Sequence, residues 1–537
     1  MKFNYLAAIL LGAALTANAQ GYKDGIEYYK AGQYSNAITL LTRNLNNPDT
    51  DKALANYYLG QAWIVKDDNK KAKACFDAGI AANPNNPYNY VGLGYLDLMN
   101  GNERSAKENF DKAQKLGKKN TEILVDIARA YFDADPVKNT KEVEKYLTKA
   151  SKDSKNQDPS IYIFKGDRLA RQRDFNGAAA EYEQAIYWDN DNPEGYVKYA
   201  NVYYYVVPDY AIKRLEELLQ KQPNSALAQR ELAEKYYNSG LYTKAAEQYG
   251  QYIKNPNHFT EDEARYAVLL FADGKYDQTI ETAKKVLNSN PGDMDLTLDR
   301  IIIRSYVQLD KNDEALEACN VYFMKPSYEG RYNESDYTIY ADLLNSKGET
   351  AKALEILEKG RKQFPDDASI VNRLAMTYSR QNNNSQAMDT FMEYIGMLEN
   401  PTSNDYNRGS LFALYALDDV KDNQDLTNKY GNAGLSYLEK MDDPKNPTLM
   451  LRKAQILQQM SQNEVTDELA QAYRDLIQVL DSNPEYADPT SKSNQLRAYT
   501  AAYGNLANYY NKKGQKADAT EATNNYKKYT DLYNQIQ

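Results

Sequence analysis

Small and bulky apolar positions recur along this chain with a period of about 34 residues. One copy reads Tyr88, Tyr90, Leu93, Gly94, Gly101, Ala106, Phe110, Ala113, and the copy before it supplies Leu59, Gly60, Trp63, Ala72, Phe76 and Pro84. The steadiest position is a small residue: Ala37, Ala72, Ala106, Val143, Ala178, Ala211, Ala245, Thr279, Ala315, Ala353 and Ala387, in steps of 33 to 38 residues. Twelve residues earlier a second small residue usually stands: Gly25, Gly60, Gly94, Gly166, Ala233, Ala267, Ala341, Ala375. Two helices that cross at roughly 8–10 Å need small side chains at the crossing, which accounts for both positions. Bulky residues sit nine before the anchor (Trp63, Leu169, Tyr236, Leu270, Tyr306, Leu344, Tyr378, with Tyr131 and Tyr203 displaced equivalents). Others sit four after it: Leu41, Phe76, Phe110, Leu147, Tyr182, Leu215, Tyr249, Leu357, Phe391. Such offsets put them on one stripe of a helix. Gly32, Gly101, Gly240, Gly274 and Gly348 fall where a first helix must stop, and Pro84, Pro223, Pro291 and Pro365 where a second one closes. The pattern predicts eleven antiparallel helix pairs from about Gly21 to Asn400.

Period, anchors and turn residues together resemble the tetratricopeptide repeat family across at least the first 400 residues. Departures are local: Pro136 and the Val137–Thr140 insertion lengthen one turn, and Pro208 shortens another. The resemblance implies an all-α, right-handed superhelical solenoid that binds other chains in a concave groove and rarely performs chemistry. Beyond Pro401 the pattern loosens. Ala413 with Ala433 and Ala454 with Ala470 read as stretched pairs among Pro444, Pro447, Pro484 and Pro489. The pattern returns at Leu506, Ala507, Tyr510, Gly514 and Ala519, and Ala522 to Gln537 reads as a polar, Tyr-rich capping helix. The expected organisation is a signal peptide over 1–19, repeats over 20–400, and degenerate repeats with capping helices over 401–537. A linker near Asn400–Asn407 is the alternative to a continuous solenoid.

The first nineteen residues are a separate object: Lys2, an apolar run from Tyr5 to Leu15, and a small-residue site Ala17-Asn18-Ala19. They read as a secretory signal with Gln20 as the new N-terminus. The run is too short to span a bilayer, and no cysteine stands at the cleavage site for lipid attachment. The expected location is therefore the periplasm or the exterior. The whole chain carries 65 Lys and Arg against 75 Asp and Glu, a net charge of −10. With no basic cluster, nucleic acid and anionic lipid are disfavoured as partners.

Candidates for chemistry are few. Cys75 and Cys319 are the only cysteines, in repeats seven apart, and read as free thiols. His258, the single histidine, follows Asn255-Pro256-Asn257 in a loop and has no companion ligands for a metal. No phosphate-cradling glycine loop, calcium loop or nucleophile elbow occurs, and the acidic pairs Asp366-Asp367 and Asp418-Asp419 sit at helix starts or loops. No enzyme activity, cofactor or metal is expected.

Tyrosine is the unusual component, 49 residues against two tryptophans. Part of it replaces core aromatics: Tyr131, Tyr182, Tyr203, Tyr236, Tyr249, Tyr252, Tyr306, Tyr322, Tyr378 and Tyr394. In the resembled family, groove residues recur on the exposed stripe of each first helix. Carried over, that stripe selects Tyr57, Tyr88, Tyr95, Leu98, Phe132, Tyr204, Tyr205, Tyr237 and Phe271. Tyrosine suits a binding face, offering a large contact area, few rotors and one polar handle. Arg129, Arg171, Arg230, Arg300 and Arg304 fall on or near the same stripe. They read either as a strip that takes a partner's carboxylates or as pairs with neighbours such as Glu231, Glu234 and Asp299. The two-carboxylate clamp of chaperone-tail-binding members is not matched, since only Asn201 stands at one of its offsets. The expected function is an exported scaffold or adaptor for partner peptides or helices. The alternative is a glycan-binding protein of the outer-membrane polysaccharide-uptake type, for which only Trp63 and Trp188 offer indole platforms.

Overall fold

The computed structural model describes residues 21–289, 292, 294–441, 443–482 and 493–536. The signal segment with its cleavage site, and Pro291, Pro484 and Pro489, lie outside the described residues. Every regular element among the described residues is helical. The chain divides between Leu309 and Asp310 into two compact units.

The first unit holds eight helix pairs and one further helix. Repeat 1 is 21–30 with Tyr34–Asn44, repeat 2 Lys52–Val65 with Asn69–Ala82, and repeat 3 Tyr88–Met99 with Glu103–Gly117. Repeat 4 is Glu122–Ala134 with Thr140–Ser154, repeat 5 Pro159–Arg171 with Phe175–Trp188, and repeat 6 Pro193–Tyr203 with Pro208–Lys221. Repeat 7 is Ala226–Asn238 with Tyr242–Tyr252 and repeat 8 Asp262–Ala272 with Tyr276–Ser289, followed by Asp295–Gln308. The second unit begins with Asn312–Met324 and a 3₁₀ turn Pro326–Tyr328. It continues with the pairs Glu334–Ser346/Thr350–Gln363, Ala368–Arg380/Asn384–Met397, Ser403–Asp419/Gln424–Glu439, Pro447–Met460/Asp467–Ser482 and Ser493–Lys512/Lys516–Ile536.

All eleven anchors are buried. The small residue twelve before each one has a more specific task than keeping two backbones close. A Cβ built on Gly94 would stand 2.5 Å from the Phe110 ring, one on Gly166 2.5 Å from Tyr182, and one on Gly25 2.8 Å from Leu41. In each case the obstacle is the bulky residue four after the anchor. The two sequence positions are therefore one feature, a ring on the second helix seated over a gap in the first. At the turns Gly32, Gly101, Gly240, Gly274 and Gly348 take φ of 74–81°, where glycine is unstrained. Asp67, Arg173 and Asn382 adopt the same left-handed conformation in the corresponding turns. The turn is thus conserved in geometry where its glycine is absent.

The second unit stays regular beyond Asn400. Thr402 and Asp405 form a capping box that starts Ser403–Asp419, and one core runs from Val371 through Phe412 to Ile456. Ala433 does not hold the crossing expected of it. The buried neighbour Gly434 does, its Cβ direction meeting Ala413 at 2.7 Å. The final pair is locked by Tyr499 stacked on Tyr529 at 4.3 Å.

Candidate binding cavity

The first unit closes upon itself. The small rotation between successive repeats carries repeats 7 and 8 back to the helix 21–30. Ser225 Oγ donates to Glu27 Oε2 at 2.9 Å, Asn257 Nδ2 to Asp24 Oδ2 at 2.7 Å, and Arg230 Nη1 to Gln33 Oε1 at 3.3 Å. Gln33 also donates to Glu231. Tyr28 meets the Phe259 ring edge-on at 5.3 Å, and both Tyr28 and Asp24 are fully buried. Repeat 6 joins the same seam through Lys30 and Glu194, 3.7 Å apart.

Inside this turn lies a cavity of about 670 Å³, walled chiefly by the first helices of repeats 1 to 6. Its aromatic side carries Tyr29, Tyr57, Tyr58 and Tyr95, with Tyr57 and Tyr58 centroids 5.0 Å apart and Tyr29 and Tyr58 5.2 Å apart. Its polar side carries four cations and five carboxylates. Lys30 lies 3.3 Å from Glu122, Arg129 2.7 Å and Lys198 2.6 Å from Asp167, and Arg171 2.7 Å from Asp133. Burial alone would raise the Asp167 carboxyl, but Lys198 and Arg129 overcome it and hold the group well below the usual carboxylate range. Asp126 differs. It accepts from Tyr57 Oη at 3.1 Å and, among the described residues, makes no ion pair. Burial and the neighbouring Glu122 push its carboxyl well up.

Several side chains expected on the concave stripe lie here, and others do not. Tyr57, Tyr95, Arg129 and Arg171 line the cavity. Tyr88 donates from its hydroxyl to Glu122 at 2.7 Å behind the wall. Phe132 packs edge-on against Phe164 at 5.6 Å beneath Arg171, and Leu98 packs against the core. Tyr204 and Tyr205 fall beyond the end of the first helix at Tyr203, because Pro208 starts the next helix and the chain must turn before it. Tyr204 is buried in that turn with its hydroxyl 2.8 Å from Ser239 Oγ, while Tyr205 is 85% exposed at the turn edge. Tyr237 lies under the Arg265 guanidinium at 4.2 Å, and Phe271 against Tyr276 at 5.8 Å. Arg230 is held by Asp262 at 2.7 Å, not by Glu231 or Glu234. Arg300 and Arg304 stand on Asp295–Gln308, away from the cavity lining.

The aromatic and arginine stripe missed the carboxylates and lysines of the wall. Their signal was present in the spacing of Glu122, Asp126, Arg129 and Asp133, which share one helix face.

Other candidates resolve locally. His258 Nδ1 lies 2.7 Å from the Asn255 carbonyl and Nε2 3.4 Å from Glu263. Cys75 and Cys319 are free, their thiols pushed up by burial to about 11 and about 12. Trp63 lies under Lys71 at 4.1 Å and Trp188 beside Tyr187 at 5.0 Å, with no ring contact between the two tryptophans. Among the described residues no helix is long and apolar enough to cross a membrane, and no His, Cys, Asp and Glu cluster could hold a metal ion.

Residues 208–258, the second helix of repeat 6 and the whole of repeat 7, match the tetratricopeptide repeat family model. A tetratricopeptide-repeat-containing protein of Methanocaldococcus jannaschii is 22% identical over 461 residues, 80% of this chain and 77% of that one. Among the solved structures similar to this chain are two further repeat proteins. One is the C-terminal part of such a protein from Cytophaga hutchinsonii, with TM-score 0.36, 17% identity, and 50% of this chain and 98% of that one covered. The other is a tetratricopeptide repeat protein from Parabacteroides merdae, with TM-score 0.29, 17% identity and 48% and 98% covered. A tetratricopeptide repeat is thus matched at residues 208–258, within a chain that is similar over 80% of its length to a protein containing such repeats. Proteins of this family mediate protein–protein interaction and are typically scaffolds without catalytic activity.

Proposed function

We propose that the chain is an exported, non-enzymatic scaffold that takes a partner's peptide or helix against the concave face of its first unit. The observation that carries this reading is the wall of repeats 1 to 6, where tyrosine rings and ordered charge pairs surround one recess. An amphipathic segment entering it would place apolar side chains on Tyr57, Tyr58 and Tyr95 and exchange charges with the ion pairs opposite. Export is supported by Lys2, the Tyr5–Leu15 run and the Ala17-Asn18-Ala19 site, and on this reading the mature protein works in the bacterial periplasm.

A photo-crosslinking residue at Tyr95 or Arg171 tests the site. One partner captured at both positions, and not at Tyr205 on the turn edge, is the expected result. Capture at Tyr205 alone would move the interface to the turns. N-terminal sequencing of the envelope fraction should begin at Gln20, and a chain that still begins at Met1 would remove export from the reading.

A further inference from the structure

We infer that the cavity of the first unit is a receptor for a positively charged group, an ammonium carried by a peptide's lysine side chain or by a free polyamine, with Asp126 as its counter-ion. The inference deepens the reading above, but its test needs no protein partner, so the two can fail separately.

The charge pairing inside the cavity carries it. The four lining cations are each matched: Lys30 with Glu122, Arg129 and Lys198 with Asp167, Arg171 with Asp133. Glu194 is held as well, between Lys30 and Lys198, each 3.7 Å away. One carboxylate is left over. Asp126 sits on the same helix face as Glu122 and Arg129, yet among the described residues its one hydrogen bond is from the Tyr57 hydroxyl at 3.1 Å. Arg129 and Lys30 draw its carboxyl down from a distance, but both are spent on other acids, and burial with Glu122 prevails. The protein therefore keeps an uncompensated acid at the wall of a recess whose volume suits a small ligand.

The surrounding rings select the kind of cation. Tyr57, Tyr58 and Tyr29 form a connected aromatic patch next to Asp126, with neighbouring centroids 5.0–5.2 Å apart. Ring faces attract organic cations and cannot coordinate a hard metal ion, which prefers several oxygen ligands. Lys30 already shows the local preference, its ammonium 5.8 Å from the Tyr58 centroid. An incoming ammonium between the rings and Asp126 would meet an acceptor and a π face together. An anionic ligand would instead have to displace a carboxylate from every cation it approached.

The experiment is isothermal titration of the full-length mature chain with Nα-acetyl-lysine methylamide, with spermidine, and with the neutral Nα-acetyl-norleucine methylamide. Saturable binding of the two amines and none of norleucine is expected, and the tighter amine assigns the source as peptide side chain or polyamine. Asp126→Asn should weaken the amines by about tenfold or more, the loss of one charge-assisted contact. Because the bound cation favours the ionised carboxylate, binding near pH 7 should release protons, seen as heats that differ between phosphate and HEPES buffers. The proton release is read on the wild-type chain and so decides the matter even if Asp126→Asn fails to fold. No amine binding, equal binding of norleucine, proton-neutral amine binding at pH 7, or a folded Asp126→Asn variant with unchanged affinity would each overturn the proposal.

Discussion

Gly94 and Phe110 show how one residue can fix a repeat. In isolation an alanine in place of a mid-helix glycine gains about 1 kcal/mol in helix propensity. Here its methyl would stand 2.5 Å from the Phe110 ring, and overpacking of that kind typically costs about 1–3 kcal/mol. Packing should win, so Gly94→Ala is expected to lower the urea midpoint of the first unit. Gly101→Ala should lower it for a different reason, since φ is +75° with nothing within 4 Å of the new methyl. A left-handed L-residue costs about 1–2 kcal/mol. A rise in midpoint for Gly94→Ala would mean that the ring moves aside freely. The sequence showed both residues as small and large positions of one period. It did not show that they face each other, because an offset of sixteen residues acquires meaning only once the two helices pack.

Helices obey the period closely where their ends are signalled and less closely where a signal is shared. Ala106 is fully buried at the crossing of its helix with Tyr88–Met99, while Lys107 beside it is exposed. Ala106→Leu should cost about 1–3 kcal/mol and Lys107→Leu within roughly 0.5 kcal/mol. Equal shifts in urea midpoint would show that the register assigned to repeat 3 is wrong. Repeat 6 is the instructive exception. Pro208 takes the first turn of its helix, where proline is favoured, and the preceding helix has to stop at Tyr203 to let it. Tyr204 is consequently a turn clamp on Ser239, and Tyr205 points to water. Tyr204→Phe should lose about 1 kcal/mol with its hydrogen bond, and Tyr205→Ala should leave stability unchanged. Thermal denaturation of the two single variants checks this, and the opposite ranking would restore Tyr204 to a binding face.

At the scale of the whole molecule, the decisive feature of the first unit is that it meets its own beginning. The seam is acidic at its centre. Glu27 is raised from 4.5 to about 8, first by burial and then by Asp24, against the opposing pull of the Ser225 hydroxyl and Lys30. A carboxyl raised in this way favours the folded state fully below its unfolded value, and the contribution is lost as pH rises through about 8. Melting of the first unit should therefore fall between about pH 4.5 and pH 8. Glu27→Gln, which keeps a neutral partner for Ser225, should flatten that slope. Asp126, shifted in the same direction, leaves a remainder. An unchanged slope in the variant would exclude Glu27 as its source.

The repeat length, the buried anchors, the left-handed turns and the all-helical class were determined by the sequence alone. Each follows from local geometry, and small, bulky and glycine positions at fixed offsets admit one way of pairing adjacent helices. The closure and the cavity were decided by tertiary structure. Asp24 and Asn257 stand 233 residues apart, and no periodicity of 34 states how much each repeat rotates against the next. That rotation, summed over the six steps from repeat 1 to repeat 7, brings Glu27 to Ser225 and turns a stripe of scattered acids, lysines and tyrosines into one recess. A groove can be inferred from a single repeat, whereas a cavity depends on an angle that only the packed side chains of all the repeats together set.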